Sequence, residues 1–496
     1  MITRRGILVL TIILSTFSLL LLLNKSSQLS SSDFSHLRST FSHRPAIYKY
    51  PTQLPDLPDQ LSSRLADILD QPALNHTEAY DTNSAICLPK THELLGDTQQ
   101  LKEELENWEN VTPEEILNIR SQIINHLEVL GDDAVYDFEK AGLARNETTR
   151  GLVITAGNKD THQRAITSLK LLRNMNFTWP AEIFQYRDER LSTDINATYA
   201  SLNATVRYID GVTKDVRSDD EHNYQIKAHA IRDSSFREVL YMDSDNIPIR
   251  NPDVLFEDPM YSDSSSPRVT FWPDFQKDHP ANPIWRILGI PCKSDEWRID
   301  SGQIMFDKAG NDGMNLAALH IAAFMADNHK YWFKLAGGDK DTFRYAFHFL
   351  RIPYVHAPNW LAAGGAPTPI SRDKNIRFCG HTKIQFDLNT FEPRPVFAHA
   401  QLLKGANSDT TTPSQVFASV KKSSKALANK PSSGSAIEIY DGPRGKCFNL
   451  LGGKKDSYEI WLEDLMRFGT DPAYHGWRTA KWERQWRQQG GFVGGW

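Results

Sequence analysis

From Arg150 onward, short runs of β-branched and apolar residues alternate with stretches whose apolar positions recur every three or four residues. "GLVITAG" (Gly151 to Gly157) reads as a strand ending in glycine. In "DTHQRAITSLKLLRNM", which follows, Ala165, Ile166, Leu169 and Leu172 share one helical face. "AEIFQY" (Ala181 to Tyr186) and "ATVRYID" (Ala204 to Asp210) repeat the strand pattern. They are followed by a helix around "YQIKAHAIRDSS" and the strand "EVLYMD". Strand, helix, strand at this spacing predicts an α/β fold with a doubly wound, mostly parallel sheet. Upstream, the segment from Thr91 to Leu130 predicts two amphipathic helices, with "TPEE" as the start of the second.

The ends of the chain differ from this middle. Residues 1–5 carry Arg4 and Arg5, and residues 6–23 are uncharged and strongly apolar. That pattern predicts a short cytoplasmic tail and a transmembrane signal anchor with the bulk of the chain lumenal. A Ser-rich stem over 24–81 and a helical extension over 82–149 precede the catalytic-type region, 150–405. A polar linker (406–436) and a Trp-rich extension (437–496) follow; the extension is expected to pack as helices or to offer an aromatic carbohydrate surface. Sequons at Asn75, Asn110, Asn146, Asn176, Asn196 and Asn203 agree with a lumenal placement. Cys87, Cys292, Cys379 and Cys447 allow one or two bridges whose pairing cannot be read. With 56 basic against 61 acidic residues and no basic tract, nucleic acid is excluded as a partner.

Composition matters most at "EVLYMDSDNIP". A strand there sets Asp243 and Asp245 at its carboxyl end, where an open α/β sheet places its ligand. Carboxylates at i and i+2 on extended chain project to the same side and repel unless a cation lies between them. The competing reading is an Asx-type turn before Pro248.

"RGLVITAGNKD", "YQIKAHAIRDSSFREVLYMDSDNIPIRNPDVLF", "WRIDSGQIMFDK", "GGDKDTFRYAF" and "VFAHAQLLKG" stand in this order between Arg150 and Gly405. In this the chain resembles the fungal Golgi α-mannosyltransferases of glycosyltransferase family 71. The resemblance implies a type II Golgi membrane protein with a GT-A-like, Rossmann-like sheet. It further implies GDP-mannose as donor, a mannan or N-/O-glycan as acceptor, and a divalent metal, Mn²⁺ above all. A hard cation held by carboxylates suits a nucleoside diphosphate leaving group, whose charge grows as the glycosidic bond breaks.

On this reading Asp243, Asp245 and His399 are metal ligands, and Asn158, Lys227 and Lys404 bind the donor. Gln303, Asp339 and Trp272 contact the donor sugar or acceptor, and Asp300 and Asp341 are catalytic candidates. Each has a plain structural alternative: a cap for Asp339 and Asp341, solvated surface for Lys227, a tight turn for Gly302, burial for Trp272. An α-linked donor giving an α-linked product retains configuration, and same-face attack is favoured over a covalent intermediate on Asp300 or Asp341. A transferase for a UDP-hexose and a non-catalytic lumenal carbohydrate-binding protein are the rival readings.

Overall fold

The structure is a computed structural model that describes residues 61–87, 98–189, 193–209, 224–369, 376–391, 393–406, 416–417, 419–423, 436–442, 445–451, 460–464 and 479–494. All lie in one compact unit, Lys49–Trp496. The expected tail, the anchor and the stem up to residue 60 lie outside the described residues. Among the described residues no helix is long and apolar enough to cross a membrane.

The expected stem does not extend to residue 81. Residues from Leu61 form two helices, α1 (Leu61–Leu69) and α2 (His76–Ile86). Leu65 and Ile68 are buried, and Arg64 donates to the carbonyl of Leu350 at 2.8 Å. Asn75 and Glu78 close a reciprocal capping box that starts α2. Just beyond it, Cys87 is bridged to Cys292. Apolar residues at helical spacing in "LSSRLADIL" outweigh the Ser-rich composition, because they bury against the core. The two expected amphipathic helices are α3 (Thr98–Glu109) and α4 (Pro113–Leu130), the latter capped by Thr112 with Pro113 in its first turn.

The α/β series then runs β1 (Arg150–Thr155), α5 (Lys159–Asn174), β2 (Ala181–Tyr186), α6 (Thr193–Ser201), β3 (Ala204–Ile209), α7 (Ile226–Asp233) and β4 (Glu238–Asp243). β5 (Asn246–Pro248), α8 (Asp253–Glu257), α9 (Pro259–Ser262), β6 (Val269–Pro273), α10 (Ile284–Leu288) and β7 (Ile299–Asp307) follow. α11 (Met314–Asp327), α12 (His329–Ala336), α13 (Lys340–Leu350) and β8 (Val355–His356) complete this half. The sheet order is β3-β2-β1-β4-β7-β6-β8. The first four strands are mutually parallel, whereas β7 runs antiparallel to both β4 and β6. The sheet is thus mostly parallel with one reversed strand.

Both faces of β4 are covered, which is why "EVLYM" is an unbroken buried run. Val239 and Tyr241 join the core layer that includes residues of α4, α7, α11 and α13; Leu240 and Met242 join the opposite layer with residues of α5. Each such side chain contributes roughly 1.5–3 kcal/mol by burial.

A second, antiparallel sheet was not foreseen. It contains β9 (Ala362–Pro369), β10 (Ile376–Phe386), β11 (Pro395–His399), β12 (Ser419–Ser423), β13 (Ala436–Gly442), β14 (Gly445–Leu451) and β15 (Ile460–Asp464), and β5 joins it through β11. The described part of the expected linker therefore includes a strand, β12, and the Trp-rich extension contributes three strands and one helix, α14 (Thr479–Gln488). Trp482 and Trp486 of α14 are buried against Phe417, so packing is their role. Cys379 of β10 and Cys447 of β14 form the second disulfide.

Candidate functional site

β4 belongs to the first sheet and β5 to the second, so the chain changes sheets at Ser244-Asp245. β11 pairs with β5 in the register His399↔Asn246, and the amide of Ala400 donates to the carbonyl of Asp245 at 3.0 Å. Residues more than 150 positions apart in sequence meet because one strand of the second sheet docks beside the turn that ends β4.

Asp243, Asp245 and His399 each offer a ligand atom, and these atoms lie within 4.8 Å of one another. His399 Nε2 stands 3.4 Å from Asp245 Oδ1 and 3.8 Å from Asp243 Oδ2. Its other nitrogen, Nδ1, is 2.7 Å from Asp300 Oδ1. Burial opposes charge on the ring, yet Asp300 and Asp245 push its pKa up to about 10. Burial likewise disfavours the Asp245 carboxylate, but Lys404 and His399 hold it well below the usual range. Lys404 Nζ lies 2.8 Å from Asp245 Oδ2.

Lys227 has the matching place on the other side. Its Nζ donates to Asp243 Oδ2 at 2.8 Å and to Ser301 Oγ at 3.0 Å, and pairs with Asp339 Oδ2 at 3.0 Å. Although it lies on a helix, Lys227 is buried, because α7 packs on the sheet with its lysine aimed at the end of β4. Burial and the nearby Asp243 raise the Asp339 pKa, while Lys227 opposes the rise. Tyr241, two residues before Asp243 and on the same side of β4, donates to Asp243 Oδ1 at 2.7 Å. It is a residue that the period of two in "YMD" pointed to and that the sequence reading passed over.

Several expected roles need correction. Asp300 is not free to act on a substrate: it is buried and accepts from His399, from Gln385 Nε2 at 2.9 Å, and from Lys383 Nζ at 3.5 Å. Asp341 is also interior; it accepts from the Ile299 amide and from Arg344 Nε, both at 3.1 Å, and pairs with Lys340 at 2.7 Å. Gln303 lies within β7, where its Oε1 accepts from Asn246 Nδ2 at 2.9 Å, so it steadies the residue after Asp245. Trp272 is fully buried and donates to the carbonyl of Phe386 at 2.7 Å, which leaves no face for a sugar. Asn158 is exposed at the end of β1, and its Oδ1 caps α5 through the Thr161 amide at 2.9 Å. Gly302 lies within β7 and is not the tight turn of the structural alternative. A Cβ there would lie 2.4 Å from His399 Nδ1, so glycine makes room for the imidazole.

The residues brought together are therefore Asp243, Asp245, His399, Lys227, Lys404 and Asp339, with Asp300 behind the histidine. Two carboxylates and an imidazole, with a carboxylate behind the imidazole, are a donor set that suits a divalent cation. Each of the two carboxylates also has its own lysine, so this arrangement is charge-compensated.

Residues 149–288 match the family described as "Mannosyltransferase putative". The α-1,2-mannosyltransferase MNN24 of Candida albicans is 27% identical over 243 residues, covering 41% of this chain and 33% of that protein. The α-1,2-mannosyltransferase MNN2 of Saccharomyces cerevisiae is 24% identical over 248 residues, covering 41% of this chain and 40% of that protein. The chain thus spans only about a third to two fifths of the length of these curated relatives. Among solved structures, the bifunctional glycosyltransferase WbbM is 12% identical with a TM-score of 0.29, covering 43% of this chain and 39% of that one. A likeness of that size decides neither fold nor function. Residues 149–288 are thus similar to a mannosyltransferase family, and the relatives that the chain resembles are fungal α-1,2-mannosyltransferases.

Proposed function

We propose that this protein is a metal-dependent, retaining α-mannosyltransferase of GT-A type, using GDP-mannose to extend a mannose-containing glycan. The observation that carries this reading is the grouping of Asp243, Asp245 and His399 within 4.8 Å at the carboxyl end of a parallel strand. Lysines lie 2.8 Å from both carboxylates.

When bound, a divalent cation would supply charge stabilisation for the departing diphosphate. Asp243, Asp245 and Nε2 of His399, which would give up its proton to bind, would hold it, and Asp300 keeps that nitrogen aimed at the site. Lys227 and Lys404, now counter-ions of the carboxylates, would then face the anionic leaving group. Asp339 takes the place that Asp341 and Asp300 held in the sequence reading: it is beside Asp243 and Lys227, where it can orient a sugar hydroxyl. With Asp300 and Asp341, the two candidates for covalent attack, both buried and engaged by neighbouring cations and donors, same-face attack is the favoured route, with the departing diphosphate accepting the acceptor proton.

Two disulfides support a lumenal, oxidising placement. The apolar residues 6–23 support a signal anchor in the Golgi membrane, with the catalytic region lumenal. The test is transfer to mannobiose from GDP-mannose, UDP-glucose and UDP-galactose, each with and without Mn²⁺, with analysis of the product linkage. Transfer from GDP-mannose that needs Mn²⁺ and is lost in Asp245→Ala is expected. Transfer only from a UDP-hexose would overturn the donor, and undiminished Mn²⁺-dependent transfer in Asp245→Ala would overturn the site.

A further inference from the structure

The residues after Thr479 lie beyond the family match, yet they pack beside Asp245 and Lys404. Helix α14 is fixed first. Trp482 Nε1 donates to the carbonyl of Pro248 at 3.0 Å, and the Glu483 carboxylate accepts from the amides of Val416 and Phe417, both at 3.2 Å. Two glycines then turn the chain. Gly490 has φ +101°, and a Cβ on Gly491 would lie 2.3 Å from the Trp486 indole.

Past this turn the segment is tied on both sides. Arg164 of α5 donates from Nη2 to the carbonyl of Gly494 at 2.6 Å, and its guanidinium carbon lies 4.9 Å from the centre of the Phe492 ring. The Gly494 amide donates to the carbonyl of Leu403 at 3.0 Å. Leu403 lies in the irregular turn from Ala400 to Ala406, which carries Lys404 and hangs from the Asp245 carbonyl through Ala400.

Such a turn has no ladder of its own, so contacts from outside must offset the entropy of fixing it. A cavity of about 20 Å³ between Arg164, Ser244, Asp245, Lys404, Trp486 and Phe492 separates the layers. That volume holds a water and excludes a sugar ring, so the segment is a brace and not the wall of a sugar subsite.

We propose that Gly490–Gly494, anchored by Arg164, is a positioning strap that fixes the Lys404 turn against Asp245 and so sets the affinity of the site for a metal-bound diphosphate. The proposal rests on the cation reading of Asp243, Asp245 and His399. In the full chain, Arg164→Leu and Gly491→Val are compared with the wild type and with Arg164→Lys. The measurements are calorimetric titration with Mn²⁺ plus GDP, thermal melting, and hydrogen exchange over residues 400–406.

The first two variants are expected to bind GDP with Mn²⁺ at least about tenfold more weakly, as outer partners of metal sites do. Both should exchange faster over 400–406, Arg164→Leu at near-wild-type melting temperature and Gly491→Val at a lower one because its Cβ meets the Trp486 indole, and Arg164→Lys should recover part of the affinity. Wild-type exchange over 400–406 in both variants overturns the strap, whatever the titration gives. Faster exchange with unchanged GDP affinity overturns its role at the site. A wild type that binds no Mn²⁺ overturns the cation reading instead, and the exchange data still decide whether the strap holds the turn.

Discussion

His399 Nδ1 lies 2.7 Å from Asp300 Oδ1, and this contact turns the opposite ring nitrogen toward Asp245, 3.4 Å away. A carboxylate behind a ligating imidazole fixes both its tautomer and its rotation. Asp300→Ala is therefore expected to weaken Mn²⁺ binding by roughly ten- to a hundredfold, with Asp300→Asn between it and wild type. Titration of each variant with Mn²⁺ checks this. Equal affinity in all three would mean that packing alone, including the room left at Gly302, orients the ring.

Asp339 and Asp341 are two residues apart and are expected to fail differently. Asp341→Ala removes one of the three carboxylates paired with the buried Arg344, along with the acceptor of the Ile299 amide, with an expected loss of about 1–3 kcal/mol in stability. The folded fraction should still bind Mn²⁺. Asp339→Asn is expected to cost about a hundredfold or more in transfer, in line with loss of a positioned polar group at the reacting centre, with little change in melting. Urea unfolding and initial rates on the same preparations separate the two. The reverse assignment of effects would restore the sequence-based choice of Asp341.

Trp272 is a core residue, not a sugar platform. Trp272→Ala is expected to destabilise by about 3–5 kcal/mol. Its folded fraction should show an unchanged acceptor KM; a raised KM at wild-type stability would return Trp272 to the acceptor site.

Lys308 gives a pH dependence that is independent of the metal site. It is buried, donates to the carbonyl of Ser234 at 2.6 Å, and burial lowers its pKa to about 7. The unfolded chain keeps this proton to about pH 10.4. Between these values the unfolded state binds more protons, so this group's contribution to stability rises with pH, by up to about 1.4 kcal/mol per unit, and its penalty is complete below pH 7. Urea midpoints from pH 6 to 10 should therefore rise more steeply in the wild type than in Lys308→Met. Parallel curves would show that Lys308 keeps its charge in the fold.

Local pattern determined much of this protein. The strands at Ala181–Tyr186 and Glu238–Asp243, the helix Ile226–Asp233 that precedes the second and the cap at Thr112 all follow from periodicity and end signals over a few residues, whereas the helix Thr193–Ser201 was not foreseen. So does the place of Asp243 and Asp245 at a strand end, because alternation and burial act on neighbours in sequence. What the tertiary structure decided is which polar groups are left facing the site. Asp300, Asp341, Gln303 and Trp272 are chemically suitable, but each finds its partner in a residue 40 or more positions away, such as Gln385 for Asp300 and Phe386 for Trp272. Lys227 moved the other way. A helical lysine usually stays in water, but here the packing of α7 buries it between Asp243 and Asp339. The second sheet joins β5 to strands from the far end of the chain, and with it come His399, Lys404 and the strap beside them, a long-range pairing that no local pattern encodes.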